Sequence, residues 1–195
     1  MAREPAGAAV LRPELTGAVI DAVLEEFAEV GYGRMSMQRV AARAGVGKSA
    51  LYRRWPGKQE MVADSLARLG VPDRPPPDTG SLRADLRVLA EDVRAWLTTP
   101  RIRPIVTDVL AELGRNARLA EAFRAQLAEP RRRRGRAVIE AAVRRGEVPD
   151  DEVLLGLALD VLGSAPYWRL TVLGEEVDDG YLDRLVDLLA RGLAI

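Results

Sequence analysis

The sequence predicts an all-α protein of about nine helices. Its longer segments repeat apolar residues at the three- and four-residue spacing of one helix face. No window shows the sustained alternation of a half-buried strand, and only 5% of the 195 residues are aromatic. Hydrophobic residues make up 48% of the chain, which is a globular composition with enough apolar surface for a core.

The chain begins with an arm and a first helix. Residues 1–13 carry two prolines and a glycine without periodicity, so we expect a flexible arm. Apolar residues recur at helical spacing from Glu14, and Gly31 closes this helix. Gly33 is expected to keep the following connection loose.

Three further helices complete the N-terminal region. Ser36 is the expected N-cap of a helix over 37–44. After Gly45, a short helix covers 48–55 and a fourth helix covers 58–69. The short lengths and close punctuation indicate a compact three-helix unit followed by a connecting helix.

A linker lies over residues 70–80, where eleven residues include four prolines and two glycines. Such composition is typical of a domain boundary. We therefore expect one domain over residues 1–60 and a larger one over 61–195 that contains the linker.

Beyond the linker every long segment is helical. Ser81 should cap a helix, and Asn116 opens a long segment that Pro130 is expected to kink or divide. The caps expected for the last two helices are Asp150 or Asp151, and Asp178 or Asp179.

The chain contains no cysteine and no histidine. This excludes disulfides, thiolate zinc sites, Ser-His-Asp catalysis and imidazole-ligated metals, although carboxylate chemistry remains available. No stretch reaches the roughly 20 apolar residues that span a bilayer, and the N-terminus lacks a signal-peptide core. We expect a cytoplasmic protein without a cofactor or bound metal and without a membrane partner.

A local excess of positive charge lies within a chain of zero net charge. Residues 34–58 carry +7 and no acidic side chain, so the other 170 residues carry −7. Such a patch is typical of a polyanion-binding site, while a solvated face is the alternative. The basic residues are Arg34, Arg39, Arg43, Lys48, Arg53, Arg54 and Lys58.

The basic segment also has the punctuation of a helix-turn-helix. Two helices that cross at a short turn need a small residue at the contact, a glycine able to take positive φ, and an aliphatic residue on the second helix. Ala41, Gly45 and Leu51 meet these needs. The second helix would then present hydroxyl, phenol and cationic groups suited to phosphates and base edges, namely Lys48, Ser49, Tyr52, Arg53 and Arg54.

The segment Ser36–Lys58, SMQRVAARAGVGKSALYRRWPGK, resembles the DNA-binding signature of the TetR/AcrR family of transcriptional regulators. The resemblance is strong over residues 14–69 and looser beyond. It implies an all-helical homodimer with an N-terminal helix-turn-helix and a larger effector-binding domain. The run Arg131–Gly146 and the segment Pro166–Leu170 resemble one C-terminal subgroup of that family.

The resemblance also implies which residues contact double-stranded DNA. Gly47 departs from the serine or threonine often found at its position, so a capping hydroxyl is missing there. Arg39 replaces a frequent acid and could add a phosphate contact, and Trp55 occupies an aromatic position expected in the core. The implied DNA contacts are Ser36, Arg39, Gly47, Lys48, Ser49, Tyr52, Arg53, Arg54 and Lys58.

In the C-terminal domain the resemblance implies a pocket for a small-molecule effector whose binding moves the fourth helix. Candidate lining residues are the aromatic and carboxylate side chains on largely apolar helices, although a place in the core is the alternative for each aromatic. Asp160 would need a partner if buried, and Arg169 is one candidate. The candidates are Trp96, Asp108, Phe123, Asp160, Tyr167 and Trp168.

The last two helices, over about 151–195, resemble a family dimer interface, while closure of the monomer core is the alternative. The first of them is apolar nearly all round over 153–162. For the basic run Arg131–Arg136, a solvated face or pairs with Glu121, Glu129 and Glu140 are favoured over a second nucleic-acid site.

The sequence therefore favours a sequence-specific, ligand-responsive repressor that binds a palindromic operator as a homodimer. One alternative is an all-α enzyme that uses carboxylates and Mg²⁺, for which the available acid pairs are Glu25/Glu29 and Asp178/Asp179. A second alternative is a non-specific nucleoid-type DNA binder.

Overall fold

The computed structural model describes residues 13–70 and 74–193, and every regular element in these ranges is helical. None of these helices is long and apolar enough to cross a bilayer. A 3₁₀ turn (Ala67–Leu69) and two π-helical turns (Arg124–Ala128 and Trp168–Leu173) extend or join helices. The α-helices are α1 (Pro13–Arg34), α2 (Met37–Arg43), α3 (Lys48–Arg54), α4 (Lys58–Leu66), α5 (Leu82–Thr98), α6 (Ile102–Glu112), α7 (Ala117–Phe123), α8 (Glu129–Arg144), α9 (Glu152–Tyr167) and α10 (Asp179–Leu193).

The all-α prediction is confirmed, and local side-chain caps begin most of the predicted helices. The Ser36 Oγ and the Ser81 Oγ each accept from the amide three residues ahead, both at 3.3 Å. The Asn116 Oδ1 accepts in the same way at 3.1 Å. Of the paired alternatives, Asp151 caps α9 and Asp178 caps α10. These caps satisfy amides that the first turn of a helix leaves without partners.

Helix α1 bends at Gly31, where φ is 75° and ψ is 165°. The Asp108 Oδ2 accepts a hydrogen bond from the Tyr32 amide at 2.5 Å and fixes the bend against α6. Gly33 is helical, so the expectation that it loosens the connection is wrong. The change of direction belongs to Gly31 alone.

The long segment opened by Asn116 is divided as Pro130 predicts. The backbone stays helical throughout, but the π-helical turn Arg124–Ala128 separates α7 from α8. Pro130 lies in the first turn of α8, where its missing N–H is tolerated. If α7, this turn and α8 are counted as one interrupted helix, the described chain has the nine helices expected.

Two apolar cores stabilise the fold. The division between them does not fall at the linker, because helices that follow the linker contribute to both cores. The first core joins α1–α4 to α6 and α7, through side chains such as Phe27, Ile105 and Leu119. The second core joins α5, α8, α9 and α10, through side chains such as Leu86 and Leu182. Because α6 and α7 pack on α1 and α4, movements in the C-terminal helices can reach the N-terminal ones directly.

Candidate nucleic-acid interface and effector cavity

The turn between α2 and α3 has the geometry that its three marker residues predict. Ala41 and Leu51 are buried at the crossing, and Gly45 takes a φ of 65°. The Val46 amide donates to the Ala41 carbonyl at 3.0 Å and closes the turn. This arrangement is a helix-turn-helix.

Trp55, directly after α3, is a core residue as predicted. Its side chain is 1% exposed, and its Nε1 donates to the Asp64 Oδ2 at 2.8 Å. The indole therefore ties the end of α3 to α4 and fixes the orientation of the second helix of the motif.

Helix α3 presents an exposed face of hydrogen-bond donors. Its residues Lys48, Ser49, Tyr52, Arg53 and Arg54 are all exposed, and so is Gly47 before them. Gly47 supplies no side-chain cap, so the first amides of α3 remain open for an acceptor. Within the described part of the chain, Arg53 has neither an ion pair nor a hydrogen bond. Lys48 lies 5.8 Å from the centre of the Tyr52 ring, and Arg54 lies 5.3 Å from that of Trp55. Among the described contacts, Arg53 is therefore the cation of this face that can reach a groove without giving one up.

The positive charge of residues 34–58 is partly neutralised by α1. The buried Glu26 carboxylate pairs with Arg39 and with Arg43, the latter at 3.2 Å. Arg43 also donates to Glu29 at 2.9 Å and lies 3.5 Å from Glu25. The hydrogen bond from Arg43 holds the pKa of Glu29 below its ordinary value. Sequence spacing alone could not show these acids, because they come from a helix outside the basic segment.

This pairing changes the prediction for Arg39. Its guanidinium is half-exposed and already bound to the Glu26 carboxylate, so a phosphate would have to share it with that ion pair. Arg39 contributes first to holding α2 on α1.

Ser36 and Lys58 lie at the ends of helices beside α3. Ser36 caps α2, as expected. The Lys58 Nζ donates to the Tyr32 carbonyl at 2.7 Å and lies 4.3 Å from the centre of the Tyr32 ring. An ammonium group has three donors, so two remain for a phosphate.

A cavity of about 840 Å³ lies between α5, α8 and α9. Its volume is in the range of small-molecule sites. Three of the six predicted effector contacts, Trp96, Phe123 and Asp160, line it. Apolar side chains such as Leu89 and Leu159 supply much of the remaining wall.

The other three predicted contacts do not line this cavity and lie beside two other clefts. Asp108 lines a separate cleft of about 550 Å³ and holds the bend at Gly31. Tyr167 and Trp168 line a small groove of about 410 Å³, and Trp168 is 58% exposed. Tyr167 packs against the first core, which is the alternative that the sequence left open for each aromatic.

Asp160 has a different partner from the one expected. Its Oδ1 accepts from the Arg132 Nη1 at 2.6 Å, and its side chain is largely exposed. Arg169 instead pairs with Glu175 at 2.7 Å. The partner of Asp160 therefore comes from α8, across the mouth of the cavity.

The basic run Arg131–Arg136 is not a uniformly solvated face. Arg134 is 9% exposed, and the Arg131 guanidinium stacks on the Trp96 ring at 3.8 Å from its centre. Arg136 pairs with Glu152 at 3.2 Å. None of the described pairs of this run uses Glu121, Glu129 or Glu140, so that expectation is wrong.

Helices α9 and α10 each have a buried and an uncovered apolar face. Leu182 and Val186 of α10 are fully buried in the second core. Val153, Leu157 and Leu188, in contrast, are 83%, 58% and 67% exposed. The two helices thus close the monomer core and still leave apolar surface for a partner.

The acid pairs that an enzyme would use are engaged in ion pairs. Glu25 and Glu29 both face Arg43, and Asp179 lies 2.8 Å from Arg87 and 2.9 Å from Arg94. Across residues 13–70 and 74–193, no group of three acidic side chains is placed to hold a metal ion.

Comparison with known proteins places these features in a family. Residues 19–64 match the profile of bacterial regulatory proteins of the tetR family, and residues 76–189 match the tetracyclin repressor-like C-terminal domain. A DNA-binding transcriptional repressor, TetR, of Mycobacteroides abscessus is 36% identical over 182 residues, which cover 91% of this chain and 93% of that protein. The uncharacterized HTH-type transcriptional regulator YdeS of Bacillus subtilis is 27% identical over 90% of this chain and 88% of its own.

Solved structures show the same fold. The crystal structure of the TetR family transcription regulator SCO0332 superposes with a TM-score of 0.67 at 29% identity, and the match covers 93% of this chain and all of that one. A TetR-family regulator of Mesorhizobium loti superposes with a TM-score of 0.74 at 16% identity, over 93% of this chain and 96% of that one.

Proposed function

Because this chain belongs to the TetR family of transcriptional regulators, we propose that it is a repressor of transcription in the cytoplasm. It would bind a near-palindromic operator as a homodimer and be released by a small molecule in its C-terminal domain. The observation that carries the proposal is the exposed donor face of α3 beside a correctly formed helix-turn-helix. The related repressor of Mycobacteroides abscessus supports the repressing sense of regulation.

In this proposal α3 enters the major groove. Lys48 and Ser49 at its start and Arg53 one turn later lie within reach of base edges, and Tyr52 and Arg54 flank them toward the backbone. Arginine can donate two hydrogen bonds to a guanine, which discriminates against other bases. Arg53 is the best candidate for base recognition because no described contact holds it inside the protein.

The partner in the homodimer would cover the exposed apolar side chains of α9 and α10. A two-fold dimer presents two recognition helices, and specific binding needs them about 34–36 Å apart, one turn of DNA. Leu188→Arg should separate the subunits and abolish specific binding. A dimeric Leu188→Arg variant in sedimentation would contradict this assignment of the interface.

The effector would occupy the cavity between α5, α8 and α9. Gly70, directly after the 3₁₀ turn that extends α4, forms part of its wall. A molecule bound there touches the segment that leaves the DNA-binding region. A small displacement of α4 changes the separation of the two recognition helices and so the affinity for the operator.

The test is selection of bound sequences from a random duplex library at about physiological salt. Enrichment of a palindrome with half-sites about one turn apart is the expected result. Failure to enrich any sequence would contradict specific recognition and favour the non-specific binder.

A pair of variants then tests Arg53. Arg53→Ala should weaken binding to the selected DNA by roughly 5- to 150-fold, the loss expected for one bidentate base contact, and affect random DNA much less. Arg133→Ala removes another exposed arginine, on α8, and serves as the matched control. Equal losses on both DNAs would refute base recognition by Arg53.

A further inference from the structure

Two arginines of α8 hold the backbone of the linker. The Arg131 Nη2 donates to the carbonyls of residues 69 and 70, at 3.1 and 3.4 Å. The Arg134 Nη1 donates to the carbonyls of residues 74 and 75, at 2.6 and 2.7 Å. Because the two arginines are three residues apart, they share one face of α8. Together their hydrogen bonds fix the backbone where the chain leaves the DNA-binding region.

Trp96 of α5 completes this linker clamp, the name we give to Trp96, Arg131 and Arg134. The Trp96 Nε1 donates to the Leu69 carbonyl at 3.0 Å, and its ring supports the guanidinium of Arg131. The Leu69 carbonyl therefore accepts from both Trp96 and Arg131. Leu69 ends the 3₁₀ turn that continues α4, so the clamp fixes the C-terminal end of α4.

The linker clamp is also part of the wall of the effector cavity. Trp96, Arg131 and Arg134 all line it, as does Gly70. A molecule in the cavity thus contacts the residues that fix α4.

The wall holds three arginines and three carboxylates, but they are not paired one to one, because the exposed Glu129 has no ion pair among the described residues. Asp160 pairs with Arg132, and Asp92 pairs with Arg134. Within the described ranges Arg131 is bound to carbonyl oxygens and the Trp96 ring, and no carboxylate lies in ion-pair distance of it. Burial lowers the pKa of Arg131 to about 10, so the group is still charged at neutral pH but poorly solvated.

The second arginine of the wall, Arg134, is only partly satisfied. The Nε of the buried Arg134 has no hydrogen-bond acceptor among the described residues. Two desolvated guanidinium groups beside apolar Leu89, Leu159 and Phe123 are suited to a molecule with one acidic group and an apolar ring.

We propose that the effector is an aromatic acid whose anionic group binds Arg131 and draws it away from the carbonyls of Leu69 and Gly70. This inference rests on the proposed function, because it specifies the effector class and the switch of the same site. A charge-assisted hydrogen bond to an anion is stronger than a bond to a neutral carbonyl, so the anion competes for the guanidinium. The end of α4 then loses its contacts to α8, and the change reaches the DNA-binding helices.

Two fluorescent probes with nearly the same rings test the effector class. Anilinonaphthalene sulfonate (ANS) carries an anionic group, whereas N-phenylnaphthylamine has the rings without the charge. We would titrate both into the full-length protein without DNA, using Arg131→Gln and, as a matched control, Arg133→Gln from the exposed part of the same helix. Only the part of the signal that depends on Arg131 reports on the cavity.

The expected result is a loss of ANS affinity of about tenfold or more in Arg131→Gln, since a hydrogen bond to a charged group is removed. The neutral probe should bind all three proteins within about twofold, and Arg131→Lys should restore most of the ANS affinity because it keeps the charge. The proposal is overturned if Arg131→Gln binds ANS as tightly as the natural chain. It is also overturned if both probes are lost equally, or if Arg131→Lys binds ANS no better than Arg131→Gln.

Hydrogen exchange tests the switch separately. Saturation with ANS should speed amide exchange in the segment 61–70, the neutral probe should not, and Arg131→Gln should exchange faster without any probe. Unchanged exchange in 61–70 on ANS binding would refute the release of α4. Both measurements are made without DNA, so a failed library selection would refute the proposed repressor function and leave the probe results to decide the effector class.

Discussion

Replacing Gly31 by alanine should destabilise the protein, whereas the same change two residues later should stabilise it. At φ 75° and ψ 165°, Gly31 occupies a backbone region that is essentially restricted to glycine. A Cβ built there would also lie 3.1 Å from the Asp108 Oδ1, the carboxylate that fixes the bend. Gly33 is helical, and a Cβ built on it meets nothing within 4 Å.

The magnitudes follow from these two environments. Strain at Gly31→Ala costs about 1–3 kcal/mol, and more if the Asp108 bond to the Tyr32 amide is disturbed. Gly33→Ala removes backbone freedom from the unfolded chain and adds about 0.5–1 kcal/mol of helix stability. The two variants should therefore differ by about 1.5–4 kcal/mol in unfolding free energy.

Urea denaturation of the three proteins measures the difference. One fixed protein concentration is needed, because dimerisation would make apparent stability depend on concentration. A Gly31→Ala variant as stable as the natural chain would refute the assigned bend. A Gly33→Ala variant that is destabilised as strongly as Gly31→Ala would show that the change of direction is not confined to Gly31.

Two further predictions concern charge. Lys58→Ala should weaken binding to selected and to random DNA about equally, and should reduce the slope of log affinity against log salt by about one. An unchanged slope would refute the phosphate contact of Lys58. Burial raises the pKa of Glu147, but the Leu82 amide and Arg145 outweigh it and hold that pKa below its ordinary value of 4.5. The lowered pKa of Glu147 stabilises the folded state above pH 4.5, and this stabilisation is lost as the pH falls through the lower pKa of the folded state. Glu147→Gln should therefore flatten the dependence of unfolding free energy on pH below about 4.5. Glu140→Gln, which changes an exposed acid of α8, should leave this dependence as in the natural chain.

Local chemistry made the helix-turn-helix predictable from the sequence. A cap such as Ser36 acts on an amide three residues away, and the turn at Gly45 needs only that residue's freedom to take a positive φ. The same holds for Pro130, whose missing N–H is tolerated in the first turn of α8 and would disturb the interior of a longer helix. The fold class, the helix boundaries and the exposed face of α3 follow from interactions within a few residues.

The charged contacts could not be predicted in this way. Arg39 and Arg43 meet acids of α1 that are 13 to 18 residues away in the chain. Asp160 meets Arg132 across 28 residues, although Arg169 is nearer in sequence. Which acid reaches which base depends on how two helices cross, and no spacing rule within one helix contains that information.

The sequence by itself determined the helices, the DNA-binding motif and the family resemblance, since each depends on periodicity, caps and turn residues. Only the tertiary structure decided the surroundings of Arg131 and Arg134, which a run of arginines on one helix predicts to be solvated. Their partners are linker carbonyls about 60 residues away, and the Trp96 ring lies on another helix. A charged side chain enters an interior only where distant backbone and aromatic groups replace its water, and that replacement exists only after the chain has folded.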